Sequence, residues 1–324
     1  MPKSAFEPIA IVGVSTLFPD AKGSASFWQN ILQGHDAIKP VAAEHWLTSD
    51  YYDADPKAED KTYCQKGGFI PPVKFDPMAF GIPPNTLNNI DSSQVLALIV
   101  AKQVLNDAYH GQFSDDIDRS KMSVVLGVAS ATELLHDLVS RLQKPIWVKA
   151  MREEGLAESQ VDKISQRIAD SYVPWGENAF PGLLSNVISG RIANRLDLHG
   201  SNCVVDAACA STLSAVQIAV NELHSGHSNL VIAGGVDTLN DILMYMCFSK
   251  TPAFSKTGDC RPFSAAADGT IIGEGLGMFA LKRLEDAERD GNPIYAVLKG
   301  LGASSDGKST SVYAPRPEGQ ALAI

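Results

Sequence analysis

The chain has no Lys/Arg-rich block, no apolar run long enough to cross a membrane and no paired-cysteine spacing. With 27 basic against 37 acidic residues its net charge is -10, which argues against nucleic acid as a partner. The N-terminal stretch "MPKSAFEPIAIVGVS" lacks the hydrophobic centre of a signal peptide, so neither export nor a membrane span is expected. Cysteines are few: Cys64, Cys203, Cys209, Cys247 and Cys260 are scattered and odd in number. A disulfide framework is not expected in a chain of this size, and no CxxC or histidine-pair spacing points to zinc or another metal. Repeats, low-complexity tracts and flexible linkers are also missing. These exclusions leave a cytoplasmic protein with reduced thiols. Its 324 residues, 45% hydrophobic and 20% charged, allow a large core in one domain or two.

What is present is an alternation of short apolar runs with helical stretches. "PIAIVGVS" (8–15), "MSVVLGVAS" (122–130) and "NLVIAGGVDT" (229–238) predict buried strands. "SASFWQNILQG" (24–34) predicts a helix stopped by Gly34, and "DSSQVLALIVAKQVLNDA" (91–108) one capped by Asp91. A helical region is expected from about Thr132, and "PGLLSNVISGRIANRLDLHG" predicts a helix opened by Pro181 and stopped at Gly200. Residues 35–89 look like an ordered excursion, because Trp46, Tyr51, Tyr52, Phe69, Phe75 and Phe80 supply anchors. "GLGMFALKRLEDAERDG" (275–291) reads as strand into charged helix, and "IYAVLKGLGASSDG" (294–307) as a last strand and turn. Continuous apolar strands alternating with helices indicate an α/β fold with a mostly parallel sheet buried on both faces.

One stretch carries chemistry. "NCVVDAACASTLSAVQIAV" (202–220) begins as a β-branched strand, passes through Ala207, Ala208, Cys209 and Ala210, and continues as a helix. Cys209 therefore faces a helix start, where free N–H groups and the dipole favour an anion such as a thiolate. The flanking alanines permit a sharp turn and leave room for a substrate carbonyl, the logic of a nucleophile elbow without its G-x-S-x-G pattern. A buried structural thiol is the alternative, since unpaired cysteine is a common core residue; the residues alone leave both readings open. The other cysteines lack this setting, and Cys203 reads as core.

The segment "VVDAACASTLSAVQIAVNEL" resembles the active-site segment of β-ketoacyl synthases. "IAIVGVSTLFPDA", "FWQNILQGHDAI", "GRIANRLDLHG" and "RPFSAAADGTIIGEGLGMFALKRLEDAERDG" resemble further landmarks of that family, in order along nearly the whole chain. "YYDADP", "DKTYCQKGGF", "FSKTPAFS" and "GASSDGKSTSVYAPRPEGQ" look most like the ketosynthase of the large subunit of polyunsaturated fatty acid synthases, which are iterative, polyketide-like multienzymes.

The resemblance implies a thiolase-like fold, an αβαβα layered sandwich of two similar halves. The first half, 1–291, would bear the nucleophile, and 292–324 would begin a truncated second half. It implies that Cys209 accepts an acyl chain from the phosphopantetheine arm of an acyl carrier protein, and that carrier-bound malonyl loses carbon dioxide and attacks the thioester. No cofactor or metal would bind directly; the carrier protein and a second copy of the domain, pairing near "NLVIAGG", would be the partners. Asp268 matches a family aspartate near the active site and is expected to support or build the site; Phe248 falls where the family lines the acyl pocket, with core packing as its alternative. The family's catalytic histidines lie downstream of the region matching "GASSDGK" and so beyond Ile324; His224 and His227 are read as surface residues. Glu274, between Gly273 and Gly275, reads as part of a tight turn before a strand. Two other functions remain in view: a non-catalytic partner like a chain-length factor, which usually lacks the cysteine, and a thiolase-fold enzyme acting on acyl-coenzyme A.

Overall fold

A computed structural model describes residues 6–129, 133–309 and 314–324. The expected helix start near Thr132, the end of "MSVVLGVAS" at Ser130 and residues 310–313 lie outside those described. The first apolar run forms β1 (Ile9–Leu17), followed by α1 (Ser24–Gln33), which stops at a left-handed Gly34. The aromatic excursion contains β2 (Ile38–Pro40), α2 (Thr48–Tyr51) and β3 (Lys66–Gly68). It is ordered because Trp46, Tyr245 and Phe254 form one buried cluster, with the Trp46 and Tyr245 rings 5.0 Å apart.

Asp91 caps α3 (Ser92–Ala108) as expected, accepting the Ser93 N–H at 3.0 Å. The fully buried β4 (Met122–Gly127) leads to α4 (Glu133–Leu142), α5 (Lys144–Glu153) and α6 (Glu158–Ala169). The single helix expected over 181–200 is instead two, α7 (Ala179–Leu183) and α8 (Asn186–Leu196). The buried Gln94 amide donates to the carbonyls of Pro181 and Gly182 at 3.0 and 2.7 Å, taking acceptors that a continuous helix would use. The stop is Asp197, in the left-handed region at φ 56°, rather than Gly200. Gly200 is small for another reason: a Cβ there would collide with Met122 and Ser123 of β4.

The remaining elements are β5 (Asn202–Val205), α9 (Ser211–His224), β6 (Leu230–Asp237), α10 (Ile242–Lys250), β7 (Gly275–Arg283), α11 (Leu284–Arg289), β8 (Ala296–Leu298) and α12 (Pro317–Ala323). A six-stranded sheet runs in the order β5-β4-β6-β7-β1-β8. Its directions correct the expectation of a mostly parallel sheet. β1, β4, β5 and β6 point one way, but β7 lies antiparallel between β6 and β1, and β8 lies antiparallel on β1. The sheet is therefore mixed. Asp237, ending β6, faces Gly275, beginning β7, so the polar connection through α10 returns the chain at the same end without a crossover.

One face of the sheet packs on α3 and α8 through Val12, Val124, Leu126 and Ile232 against Leu98, Val104 and Ile188. The other packs on α9 through Val125, Val231 and Leu281 against Ala215, Ala219 and Leu223. The expected pairing of two copies near "NLVIAGG" needs correction. That segment is β6, whose two edges are already taken by β4 and β7, so it has no backbone groups to offer. The strand open on one side at that end of the sheet is β5.

Candidate active site

Cys209 is the middle residue of a one-turn 3-10 helix, Ala208–Ala210, between β5 and α9. Its thiol belongs to an exposed residue. Ala208 is left-handed at φ 48°, a conformation that costs a residue with a Cβ on the order of 1 kcal/mol or more. Three side-chain hydrogen bonds hold it there. The Ala207 N–H donates to Ser211 Oγ at 2.8 Å, the Ser211 hydroxyl donates to the Ala208 carbonyl at 2.6 Å, and the Ala208 N–H donates to Asp206 Oδ1 at 2.9 Å. Among the described residues the Cys209 N–H has no hydrogen-bond acceptor, so it is free at the helix start to serve an oxyanion. Ser211 and Asp206 were not singled out from sequence, although a side-chain oxygen beside a tight turn is the signal that could have found them.

Two glycines let α9 sit this close to the sheet. A Cβ on Gly127, ending β4, would overlap the Ser211 and Thr212 backbone, and one on Gly235 in β6 would overlap the Thr212 side chain. The first turn of α9 thus rests on bare backbone at the ends of two adjacent strands, and the thiol is placed by a rigid stack.

The thiol lines a cavity of about 1080 Å³. Gly235 and Gly277, paired across β6 and β7, form part of its floor. Phe27, Trp28 and Ile31 of α1 stand on one side and Met244 of α10 on another. Asp237 is the acidic group on this wall near the end of β6; it touches solvent, yet the protein around its carboxyl pushes it above the ordinary carboxylate range. Behind it, Glu274 is only 7% exposed and accepts the N–H groups of Ile70 at 2.8 Å and Asn240 at 3.0 Å. Burial raises its carboxyl above the usual value against the opposing pull of those two donors, with the nearby Asp237 and Glu133 adding to the rise. Glu274 is more than the turn residue read from sequence: it clasps the segment that carries the cavity wall.

Neither Asp268 nor Phe248 is among the residues that line the cavity beside the thiol. Asp268 accepts from the Ser255 hydroxyl at 2.7 Å and from the Thr257 N–H at 3.0 Å, and these bonds, that of Ser255 above all, hold its carboxyl below the usual range. It braces the loop at 255–268 and does not line the cavity. Phe248 stacks at a tilt on Phe254, 5.6 Å between rings, and faces the aromatic cluster; Met244, one turn earlier, reaches the cavity instead. His224 ends the 14-residue α9, roughly 20 Å along the helix from its start, and its ring bonds the Glu7 carbonyl at 2.8 Å. Cys203 is half-buried against the α9 core, and burial raises its thiol. Among the described residues no group of His, Cys, Asp and Glu side chains is arranged to hold a metal ion, and no helix is long and apolar enough to cross a membrane.

A strand–elbow–helix unit presenting a cysteine beside a cavity, in a mixed sheet with helices on both faces, defines a condensing-enzyme architecture. Residues 6–287 match the family described as "Beta-ketoacyl synthase, N-terminal domain", and the chain belongs to that family. It is 36% identical to a polyunsaturated fatty acid synthase component of Thraustochytrium, over 98% of this chain and 11% of that protein. It is 33% identical to polyketide synthase PksN of Bacillus subtilis, over 97% of this chain and 5% of that protein. Among solved structures, the oxazolomycin ketosynthase domain OzmH KS7 of Streptomyces albus superimposes with a TM-score of 0.79 at 26% identity, covering 97% of this chain and 49% of that one. The fold is thiolase-like, as expected. The chain spans about half the length of that solved ketosynthase, and a small part of the multidomain synthases it resembles.

Proposed function

We propose that this chain is the nucleophile-bearing part of a ketosynthase that lengthens carrier-bound acyl chains in a synthase of the polyunsaturated fatty acid or polyketide type. Cys209 at a strained elbow, with a free N–H and an open cavity beside it, carries this reading. In the first half-reaction the Cys209 thiolate attacks the carbonyl carbon of an acyl thioester on the carrier's phosphopantetheine arm. The negative charge that develops on the carbonyl oxygen is met by N–H donors, that of Cys209 among them. Collapse expels the carrier thiol and leaves the acyl group on Sγ. In the second, carrier-bound malonyl loses carbon dioxide, its carbanion attacks the acyl-Cys209 carbonyl, and the Cys209 thiolate departs. The product is a β-ketoacyl chain two carbons longer.

Residues 1–291 are read as the half that loads and 292–324 as the start of a second half, in line with a family match that ends at residue 287. Asp268 supports the reading as a structural brace, and Phe248 as packing behind the cavity wall. A second copy of the domain is the proposed protein partner besides the carrier, and the free edge of β5 is the strand available for it. The test is turnover. The native-length protein supplied with acyl-loaded and malonyl-loaded carrier should release carbon dioxide and form the β-ketoacyl product, and its Cys209→Ala variant should not. Equal product from both would remove Cys209 from the chemistry.

A further inference from the structure

Met244 reaches the cavity beside Cys209 from the first turn of α10, and one carboxylate decides where that turn lies. Asp241 caps the helix: its Oδ1 accepts the Met244 N–H at 3.2 Å. The residue is only 8% exposed, and its second oxygen, Oδ2, is buried with no hydrogen-bond donor among the described residues. A buried carboxylate oxygen left in that state is costly. What stands before it is the imidazole of His136 on α4, with Nδ1 3.5 Å from Oδ2. That separation is too long for a good neutral hydrogen bond, so His136 serves Asp241 through charge, when it is protonated.

α4 is a firm post for this contact. Leu134 and Leu138 are buried against Ala179 of α7, and the Leu134 N–H donates at 3.2 Å to Asp91, the side chain that caps α3. On the other side Glu274 accepts the N–H of Asn240, the residue before Asp241. The charges around the imidazole are acidic. Glu133 and Asp137 flank it on α4, with Asp137 turned to the Val173 N–H at 3.2 Å. Asp241 faces it from α10, and behind lies Glu274, which feels both Asp237 and Glu133. α7 carries no titratable side chain. The neighbouring cations turn elsewhere: Arg141 donates to the carbonyls of Ala169 and Tyr172, and Lys144 to Gln166 Oε1 at 3.4 Å. Among the described residues, His136 is therefore the one group within ion-pair reach of Asp241.

We propose that His136 is a positioning residue for acyl loading: paired with Asp241, it latches α10 to α4, holds Met244 at the cavity wall, and makes acceptance of a longer acyl chain depend on its protonation. The inference rests on the condensing-enzyme reading above and adds a control on that same site. Imidazole is the side chain that ordinarily changes charge between pH 5 and 8, and His136 is exposed to solvent protons. In acid the pair is made and the wall is fixed with the cavity open. As the proton leaves, Asp241 Oδ2 loses its counter-charge, the first turn of α10 loosens, and Met244 encroaches on the space a long chain needs. A two-carbon acyl group needs far less of that space.

The test measures Cys209 acylation by intact mass from acetyl and octanoyl thioesters of pantetheine, between about pH 5 and 8, in the native-length protein. The octanoyl-to-acetyl ratio of rates is read, because ionisation of the thiol affects both and cancels. In wild type this ratio should fall about three- to fivefold as pH rises, the scale of a half-exposed ion pair. Two variants, His136→Gln and Asp241→Asn, should hold the ratio throughout near the wild-type value at the alkaline end; the asparagine keeps an acceptor for the Met244 N–H. His136→Arg, charged at every pH, should hold it near the wild-type value at the acid end. A wild-type ratio that does not change with pH overturns the latch, as does the same pH dependence in His136→Gln. Equal loss of acetyl and octanoyl transfer in both neutral variants also overturns it, because the pair would then support the fold and not the wall. A wild type acylated by neither thioester overturns the condensing-enzyme reading itself, and the latch with it.

Discussion

At Ala208 a single residue carries the strain that aims its neighbour. Its left-handed φ of 48° is held by Ser211 and Asp206, so a branched side chain at this position meets both the local Cβ clash and the closely packed α9 start. Ala208→Val should lower stability by about 1–3 kcal/mol in denaturant melts and reduce acylation of Cys209. Ala208→Gly, which accepts this φ freely, should leave acylation close to wild type. If the valine variant matches wild type in both, the elbow is not strained. Asp237 makes a prediction about pH. Desolvation by the protein packed around it raises the carboxyl in the folded chain although the residue reaches solvent, so the unfolded chain gives up that proton first as pH rises. The stability contributed by the protonated form is complete below the unfolded value, about pH 4, and is lost as pH climbs through the raised folded value. Melting temperatures of wild type and Asp237→Asn should therefore converge or cross with pH: the variant gains on wild type from acid toward neutral. A constant difference would show that the carboxyl titrates alike in both states.

Among the elements, the start of α9 on β4 and β6 decides where the thiol lies. Gly235→Ala places a methyl against Thr212, and the helix must lift from the sheet. The expected cost is about 1–3 kcal/mol, with acylation falling further than stability alone explains because the thiol moves with the helix. Acylation at the wild-type rate would mean that the stack does not position Cys209. How far such features could be read in advance follows from their range. β6, the Asp91-capped α3 and the strand–cysteine–helix unit were legible, because periodicity, caps and β-branched runs act over a few residues. The break at Leu184 was not, since it depends on Gln94, remote in sequence, taking the carbonyls of Pro181 and Gly182. Nor was Glu274: Gly-Glu-Gly reads as a turn, and only the fold brings Ile70 and Asn240 to its carboxylate. The insertion of β7 between β6 and β1 belongs to the same group, because strand order is not written in any one segment.

For the whole molecule, the sheet ends at β5. Ser201 and Val205 turn their carbonyls toward β4, accepting the N–H groups of Val124 at 2.8 Å and Val128 at 3.1 Å, so by strand alternation Val204 turns its N–H outward. An open row of this kind templates pairing with another chain. Val204→Pro removes that outward donor while sparing the bonds to β4; under the proposed pairing of two copies along this edge, light scattering should find the wild type dimeric and the variant monomeric, and an equal oligomeric state in both would contradict pairing along β5.

Intact-protein mass spectrometry after incubation with acyl-loaded carrier protein tests most directly whether Cys209 is the nucleophile. One acyl adduct is expected, mapped to Cys209 and lost in Cys209→Ala. An adduct that persists in that variant, or no adduct in a folded wild type, would contradict it.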